Sequence, residues 1–505
     1  MLHTELIRPV GELLREHAER RGEHPAFRDD IRSEDWAGIE RRTAALAAGL
    51  RRLVGHGSCV AICMSNRVEG AEGYLGAIRA GTVAAYLNPE ASDPELAYML
   101  EDCDARVLIT DVGHASRSWE LAERAPAVEH VYVVDGEGDS SFESLLDDDA
   151  SAPDDLGLDE PAFVLYTSGT TGRPKGVILT QRSLLWVVAA CWSTALGLTA
   201  HDDLLSALPL FHSYALDLSV LAVVATGCSA RLLPRFSACR VIDLLREEDV
   251  TVFAGVPTMF HYLIDELDGE PLGARALRAS ASAGAILAGS LMEAFEDASG
   301  APLLDGYGIT ETSTMVTINW PTGTRPLGSC GLPVPGCAVR LVDPGSGNDV
   351  PHGEEGELLV RGPQVMQGYL NKQQATDEAL RGGWYHSGDL ARSDPSGYLT
   401  ITGRIKELII RGGENIYPAE VEQAVHEHEA VLDAAVIGVP DERLGETVLA
   451  FVVITKDAEV SDEELRAFAE KRLTAFKVPE RFERVDEIPR TGSGKVQRHK
   501  LREMV

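Results

Sequence analysis

The chain has 505 residues, of which 44% are hydrophobic and 25% charged, the balance of a folded globular protein. This length exceeds what one compact core usually holds, and it predicts one large multi-layer domain with a smaller one beside it. The 46 Lys and Arg residues against 79 Asp and Glu residues give a formal net charge of −33 at pH 7. Because such an acidic surface repels phosphate backbones and anionic lipid, nucleic-acid binding and membrane-surface binding are disfavoured as global modes of action.

The eight cysteines form no metal-binding or disulfide pattern in the sequence. Cys59 and Cys63 are the closest pair, and neither a second pair nor a histidine follows at zinc-ligand spacing. No apolar run approaches the ~20 residues that cross a bilayer, and the first residues lack the basic and apolar regions of a secretion signal. We therefore expect a cytoplasmic protein in a reducing compartment, without a membrane span.

Predicted helices and short apolar strands alternate from the N-terminus, which indicates layered, doubly wound α/β subdomains. An acidic segment at 140–160 is interpreted as a solvated connection, and short strands and turns from about Pro333 predict a β-rich subdomain. The predicted elements before residue 404 are helices at 10–18 and 41–53 and near Gln181, and strands at 60–64, 107–110, 131–134, 162–166, 222–225, 250–254, 303–304, 338–342, 356–360 and 398–402.

Residues 404–406 lie between a predicted strand and the segment 407–410, where the pattern of a new domain starts. We therefore place the domain boundary there. The sequence thus divides into an N-terminal domain at 1–403, a hinge at 404–406 and a C-terminal domain at 407–505. In the C-terminal domain, helices are predicted at 419–427 and 462–473 and strands at 432–438 and 448–454, which makes it an α+β unit.

The strongest chemical signal is the segment 166–176, which is rich in glycine and hydroxyl side chains. Its glycines permit positive φ and close backbone approach, and its hydroxyls and successive N–H groups form a donor surface for phosphate oxygens. Lys175 adds a positive charge, although the spacing is not that of a Walker A loop. A flexible surface loop is the alternative. The predicted phosphate-binding residues are Thr167, Ser168, Gly169, Thr170, Thr171, Gly172 and Lys175.

A second segment, 305–312, follows an apolar strand and has glycines that could admit a flat ring against the backbone. Its Thr310 and Glu311 offer a hydroxyl and a carboxylate, which suit a phosphate and a hard cation such as Mg²⁺. Asp389 follows a turn, and a carboxylate is a usual partner of two vicinal hydroxyls. Each of these features, taken alone, also fits an ordinary loop or turn.

Two glycine-rich segments lie nearer the C-terminus. Gly412 and Gly413 are adjacent and could line a narrow tunnel, and the stretch 492–495 superficially resembles a phosphate loop. An inter-domain linker, a tight turn and a solvated turn are the alternatives for these segments.

Together the segments resemble the adenylate-forming superfamily of acyl-CoA synthetases, nonribosomal adenylation domains and luciferases, in the same order along essentially the whole chain. The pattern is closest to acyl- and aryl-CoA ligases, including 4-coumarate:CoA ligases. The resemblance implies a small mobile C-terminal lid and an active site between the domains. It also implies two half-reactions. A carboxylate attacks the α-phosphate of Mg·ATP to give acyl-AMP and pyrophosphate, and the thiol of coenzyme A then displaces AMP.

The resemblance implies roles for individual residues. Lys495 would bridge the carboxylate and the α-phosphate, Thr310 would touch the α-phosphate and Glu311 would hold Mg²⁺. Lys406 would be the hinge residue, and Lys495 would leave the site when the C-terminal domain rotates for the second step. The residues assigned to the nucleotide and to coenzyme A, besides the phosphate loop, are Gly284, Tyr307, Gly308, Asp389, Arg404, Gly412 and Gly413.

The acyl pocket is expected beside the segment 210–217, where His212 and Tyr214 match residues that wall the pocket in coumarate ligases. His212 is also assigned to the catalytic set. Asp217 stands where that family usually has a neutral residue, and it would suit a ring amine or hydroxyl on the substrate. The alternative is that Asp217 bonds a neighbouring backbone group. Ala283 replaces a usual glycine beside Gly284 and should narrow the pocket.

The leading hypothesis is an ATP-dependent ligase that joins a small aryl or medium-chain acid to coenzyme A. A first alternative transfers the acyl group to the phosphopantetheine of a carrier protein. A second activates an unusual acid such as nitrite, as in diazotisation of an aryl amine in bacterial secondary metabolism. A third is a nucleotide-binding scaffold without catalysis. A homodimer is left open.

Overall fold

The computed structural model describes residues 2–147, 157–167, 173–441, 443–455, 458–490 and 496–505. Within these ranges the chain forms three sheets before residue 405 and a fourth sheet after it. Helices cover and connect the sheets, so the predicted α/β class with a large N-terminal domain and a smaller C-terminal one is confirmed.

The strands are numbered in chain order. They are β1 Pro25–Arg28, β2 Ser33–Asp35, β3 Cys59–Cys63, β4 Val83–Tyr86, β5 Ala105–Asp111, β6 His130–Val134, β7 Pro161–Thr167, β8 Lys175–Thr180, β9 Asp203–Ser206, β10 Ser229–Leu232, β11 Val252–Gly255, β12 Ala279–Ser282, β13 Leu303–Ile309, β14 Thr314–Ile318, β15 Leu332–Pro333, β16 Ala338–Val342, β17 Glu355–Arg361, β18 Gly368–Tyr369, β19 Tyr385–Ser393, β20 Leu399–Arg404, β21 Ile409–Arg411, β22 Glu414–Ile416, β23 Val431–Asp441, β24 Gly445–Ile454 and β25 Arg481–Arg484.

The α-helices are α1 Val10–Arg21, α2 Trp36–Leu53, α3 Val68–Arg79, α4 Asp93–Asp102, α5 Ala115–Arg124, α6 Gln181–Val187, α7 Ser213–Ala215, α8 Ala222–Thr226, α9 Ala238–Glu247, α10 Pro257–Leu267, α11 Gly289–Ser299, α12 Gln373–Ala379, α13 Pro418–His426, α14 Asp462–Glu470 and α15 Arg498–Glu503. Two π-helical segments, Val188–Ser193 and Leu216–Leu221, continue α6 and α7. Short 3-10 turns lie at Thr4–Leu6, Gly138–Ser140, Phe142–Leu145, Thr310–Thr312, Arg381–Gly383, Ile405–Glu407 and Ala475–Lys477.

The first sheet has the order β18-β8-β7-β4-β3-β5-β6. Its strands β4, β3, β5 and β6 are parallel and are connected through α3, α4 and α5. Parallel neighbours need crossover connections of this length, and a helix supplies them. The doubly wound arrangement predicted for this part of the chain is therefore confirmed.

The second sheet has the order β15-β14-β13-β12-β11-β9-β10-β1-β2, with parallel pairs from β1 to β13 and antiparallel pairs at both edges. The prediction of a strand at 222–225 was wrong, because these residues belong to α8. They lie in a run that is buried on every side from Leu216 to Ala225. Such a run has no exposed face, so its periodicity could not separate a helix from a strand.

One hydrophobic core joins the first two sheets and the helices between them. Trp36 and Trp192 are among its largest fully buried side chains. Asp35 begins α2 as an N-cap, since its carboxylate accepts a hydrogen bond from Gly38 N at 2.7 Å. The acidic segment 140–160 is only partly a solvated connection: Phe142 and Leu145 are buried in this core, and 148–156 lie outside the described residues.

The third sheet, β16-β17-β19-β20, is antiparallel throughout. It is the β-rich subdomain expected after Pro333. The pairing of β19 with β20 sets Asp389 opposite Arg404, which brings both charged side chains to the end of this sheet that adjoins the next domain.

The fourth sheet, β22-β21-β24-β23 with β25 beside β24, has its own core with α13 and α14. The 3-10 turn Ile405–Glu407 separates it from β20, and the predicted hinge residue Lys406 lies in this turn. The domain limits at residues 403 and 407 stay a prediction. Among the residues that the structure describes, no helix has both the length and the apolar character needed to span a bilayer.

Candidate active site

A cleft of about 1070 Å³ lies where β13, β20 and α10 of the large domain face the C-terminal domain. Among the predicted site residues, Gly284, Tyr307, Gly308, Asp389 and Arg404 line it. The C-terminal domain contributes residues from α13, β23 and the segments on either side of 491–495. Predicted site residues of the N-terminal domain and segments of the C-terminal domain therefore line one cavity.

Three polar side chains form a hydrogen-bonded cluster in the cleft. Tyr307 donates its hydroxyl to Asp389 Oδ2 at 2.5 Å, and Arg404 donates Nε–H to Asp389 Oδ1 at 2.9 Å. Burial, and then the Asp389 carboxylate, raise the pKa of Tyr307, and the same carboxylate is the main cause that raises the pKa of Arg404. The cluster is thus a neutral phenol and a cation around one carboxylate, with polar groups directed at the cavity.

Gly308 is required by the fold. A Cβ atom at this position would lie 1.5 Å from Thr314 O on the paired strand β14. The glycine-rich segment 305–308 belongs to β13 rather than to an open turn. The close approach of strand β14 explains why residue 308 is a glycine. The predicted binding of a flat ring against the backbone at Gly308 therefore stays a prediction.

Thr310 and Glu311 form the 3-10 turn that follows β13. Thr310 Oγ1 lies 3.4 Å from Ser213 Oγ, and Glu311 Oε1 accepts a hydrogen bond from the Tyr369 hydroxyl at 2.9 Å. Burial, followed by the Glu311 charge, raises the pKa of Tyr369.

The two ends of the predicted phosphate loop are adjacent. Thr167 ends β7 and pairs with Lys175 at the start of β8, while 168–172, the predicted Ser168, Gly169, Thr170, Thr171 and Gly172, lie outside the described residues. Lys175 Nζ lies 4.7 Å from the centroid of the Tyr369 ring. Tyr369 therefore contacts both Lys175 and Glu311, and no sequence signal singled it out.

The acyl-pocket residues predicted from the segment 210–217 are not among the residues that line this cleft. His212 is the N-cap of α7, where its Nδ1 accepts from Tyr214 N at 3.3 Å. Tyr214 is buried and donates its hydroxyl to Ala281 O at 3.1 Å. Ala283 follows β12 and is also buried, one residue before the cleft-lining Gly284.

Asp217 is fully buried, and its partner is a side chain that sequence reasoning missed. Trp192 Nε1 donates to Asp217 Oδ2 at 2.5 Å, so this partner is a side chain and not the backbone group considered as the alternative. Oδ1 has no hydrogen-bond partner among the described residues. Burial raises the pKa of Asp217 well above its usual range. Trp192 and Asp217 lie on the two π-helical segments, and Trp192 also stacks on Tyr214 at 5.8 Å. Single-turn π segments are frequent at functional sites.

Gly412 and Gly413 form the two-residue turn between β21 and β22, with φ of +60° and +89°. A turn of this length with positive φ at both residues favours glycine. The hairpin thus accounts for the glycine pair, and its role in a tunnel for the pantetheine arm stays a prediction.

Lys495 lies outside the described residues. The segments that flank it line the cleft and are bridged at Arg490 and Val496. Arg498, in α15, makes ion pairs with Glu407 at 2.9 Å and with Glu422 at 2.6 Å, which ties this part of the chain to the residue after the hinge. Sequence reasoning did not identify Arg498.

Two family models match the chain. One, for the AMP-binding enzyme, covers residues 14–370, and one for the AMP-binding enzyme C-terminal domain covers residues 420–495. The chain belongs to the AMP-binding enzyme family. This assignment confirms the predicted adenylate-forming superfamily, and the two matches fall on either side of the turn Ile405–Glu407.

This AMP-binding enzyme is similar to known CoA ligases over nearly its whole length. It is 38% identical over 471 residues to a feruloyl-CoA synthase of an Amycolatopsis species, which covers 92% of this chain and 93% of the relative. A benzoate CoA ligase from Burkholderia xenovorans superposes with a TM-score of 0.89 at 31% identity, covering 98% of this chain and 100% of the other. An anthranilate CoA ligase in complex with anthranoyl-AMP gives a TM-score of 0.92 at 27% identity, with coverage of 99% and 97%.

These similarities confirm the predicted enzyme class, an AMP-forming acid–thiol ligase of the acyl- or aryl-CoA type. They do not favour transfer to a carrier protein or activation of nitrite. ATP and coenzyme A are the substrates that the class implies, with a carboxylic acid as the third.

Proposed function

We propose that this AMP-binding enzyme activates a compact aryl or medium-chain carboxylic acid with Mg·ATP and passes the acyl group to coenzyme A. Two polar clusters support this most directly, one that lines the inter-domain cleft and one at the turn that follows β13. One is Tyr307, Asp389 and Arg404. The other is Lys175, Tyr369 and Glu311.

In the first half-reaction a carboxylate oxygen bonds to the α-phosphorus and pyrophosphate leaves with its bridging oxygen. Asp389 would accept from the ribose hydroxyls, with Arg404 beside it. Thr310 would contact the α-phosphate, and the backbone donors of the phosphate loop with Lys175 would hold the β- and γ-phosphates. Lys495 would offset the negative charge between carboxylate and phosphate. Fixed donors of this kind stabilise developing charge without reorganising during the reaction.

The carboxylate of Glu311 is a suitable ligand for Mg²⁺. The described residues contain no group of three His, Cys, Asp or Glu side chains that could hold a metal by themselves. Mg²⁺ usually needs only one or two carboxylates, because phosphate oxygens and water complete its octahedron. Glu311 would hold the ion, which when bound supplies charge neutralisation to the leaving pyrophosphate.

In the second half-reaction the sulfur of coenzyme A attacks the acyl carbonyl, AMP departs and the thiol proton is released. Rotation at Lys406 would withdraw Lys495 and bring Gly412 and Gly413 to the pantetheine arm. His212 and Tyr214 would form the wall of the pocket that holds the acyl group during both half-reactions. The homodimer also stays a prediction.

The buried Asp217 suggests a substrate with a hydroxyl or amine at the end remote from its carboxylate. One oxygen of Asp217 lacks a partner among the described residues, and an unpaired buried polar atom is unfavourable by about 1–3 kcal/mol. A hydrogen-bonding group on the acid would remove this penalty.

The test is pyrophosphate release with aryl, amino-aryl, hydroxy-aryl and fatty acids, each with and without coenzyme A, with the products identified by mass. A CoA thioester from one class of acid would support the proposal. Acyl-AMP without a thioester would instead indicate a carrier-protein acceptor, and no release with any carboxylate would contradict the proposal.

A further inference from the structure

The Tyr369 side chain contacts both Lys175 and Glu311. Its hydroxyl donates to Glu311 Oε1 at 2.9 Å, and its ring lies beneath Lys175 Nζ at 4.7 Å. Since a phenol can donate from its hydroxyl while its ring faces a cation, Tyr369 contacts both charged side chains at once.

The backbone around Tyr369 joins the same two elements. Met366 N donates to Glu311 O at 2.9 Å, and Leu370 N donates to Gly176 O at 2.8 Å. Between these bonds β18 pairs with β8, with Tyr369 opposite Val177. The segment 366–370 is thus held to the Glu311 turn at one end and to the strand that leaves the phosphate loop at the other.

We propose that Tyr369 is a positioning residue for Mg·ATP: its hydroxyl orients the Glu311 carboxylate and its ring supports the Lys175 ammonium. One Glu311 oxygen is held by the phenol, which leaves the other directed for the metal. Groups that orient a metal ligand in this way typically change metal affinity or activity by about 10–100-fold when removed. A cation over an aromatic ring adds a smaller attraction. The inference rests on the proposed roles of Glu311 and Lys175 in nucleotide binding.

The test is calorimetric binding of ATP, with Mg²⁺ and with EDTA, to the full chain and its variants. In Tyr369→Phe we expect the Kd for Mg·ATP to rise roughly tenfold, because the hydroxyl on Glu311 is lost. The Kd for metal-free ATP should change less than about twofold, because the ring under Lys175 is kept. Tyr369→Leu, which removes hydroxyl and ring, should weaken metal-free ATP binding as well.

Tyr398→Phe is the matched control. Tyr398 donates its hydroxyl to Thr324 O at 2.6 Å and does not line the cleft, so its loss should leave both Kd values unchanged. In a Glu311→Ala background, Tyr369→Phe should alter Mg·ATP affinity less than about twofold, since the two residues act through one contact.

Equal Mg·ATP affinity in the wild type and in Tyr369→Phe would overturn the inference. A tighter affinity in Tyr369→Phe would overturn it as well, because the phenol would then compete with the metal for Glu311. A full tenfold loss in the Glu311→Ala background would overturn it too. A wild-type chain that binds no Mg·ATP would contradict the proposed function itself, and this outcome is read before any variant is compared. Thermal unfolding of each variant checks that it is folded.

Discussion

Single residues in the cleft are held by partners that are remote in the sequence. Asp389 is nearly fully buried, and Tyr307 and Arg404 satisfy it from 82 and 15 residues away. A buried carboxylate without partners would be strongly unfavourable, and these two bonds supply its partners. The motif residues were predicted from the sequence, but their partners depend on the pairing of β19 with β20.

At this scale Lys495→Ala should lower acyl-AMP formation by about 10²-fold or more, because it removes a donor that acts on developing charge. Thioester formation from supplied acyl-AMP should remain nearly intact, because Lys495 is expected to leave the site before that step. Pyrophosphate release and thioester formation would be measured separately. Lys471→Ala, at an exposed position after α14, is the control, and an equal loss of both half-reactions in Lys495→Ala would contradict the role.

Asp217→Asn should reduce the preference for acids that carry a remote hydroxyl or amine, by about tenfold in relative kcat/KM, through loss of the carboxyl group. Trp192→Phe removes the indole donor at 2.5 Å and part of a buried ring, and it should mainly lower stability, by about 1–3 kcal/mol. The measurement is kcat/KM across paired acids with and without the polar group. An unchanged profile in Asp217→Asn would assign the residue to the core alone.

At the scale of elements, several of the strands and helices that were predicted agree with the structure within a few residues. The strand observed as Ala338–Val342 coincides with its prediction, and the helix α13 differs by one residue at each end. The fully buried run around 222–225 was assigned wrongly because it has no polar face. Helix α1 shows how elements are joined: His17 Nε2 donates to Val224 O at 2.9 Å and its ring contacts Trp36 of α2.

Burial lowers the pKa of His17 from its usual 6.5, which predicts a pH dependence of stability. The unfolded chain takes up the proton more readily than the folded one, so the free energy of unfolding should fall as pH decreases below about 6.5, by at most about 1.4 kcal/mol per pH unit. Urea unfolding at pH 7.5 and 5.5 would measure this loss. In His17→Gln the loss should be smaller, and an identical pH dependence would show that His17 contributes nothing to it.

At the scale of the molecule, two domains with separate cores meet at the cleft and are connected by the turn Ile405–Glu407. The ion pair of Glu407 with Arg498 and the cluster of Arg404 with Asp389 lie on either side of Lys406. A change of backbone angles at Lys406 would therefore move α15 relative to Arg404 and Asp389.

Lys406→Pro should slow the thioester-forming step by about tenfold or more while changing acyl-AMP formation less than about threefold, because proline restricts φ at the hinge. Lys406→Ala keeps the freedom of φ and is the matched control. The two half-reactions would be followed by rapid quench with mass detection. Equal rates in Lys406→Pro and Lys406→Ala would place the hinge elsewhere.

The sequence by itself determined the class of enzyme, because motifs such as 166–176 and 305–312 together resemble one family. It also predicted several elements and some of the residues that line the cleft, among them Tyr307 and Asp389. The tertiary structure decided which groups touch. Tyr369 on Glu311 and Trp192 on Asp217 join residues 58 and 25 positions apart. Such contacts depend on strand order, on register and on the packing of buried helices, and these are set by many weak interactions distributed over the whole fold. No local pattern of residues records them.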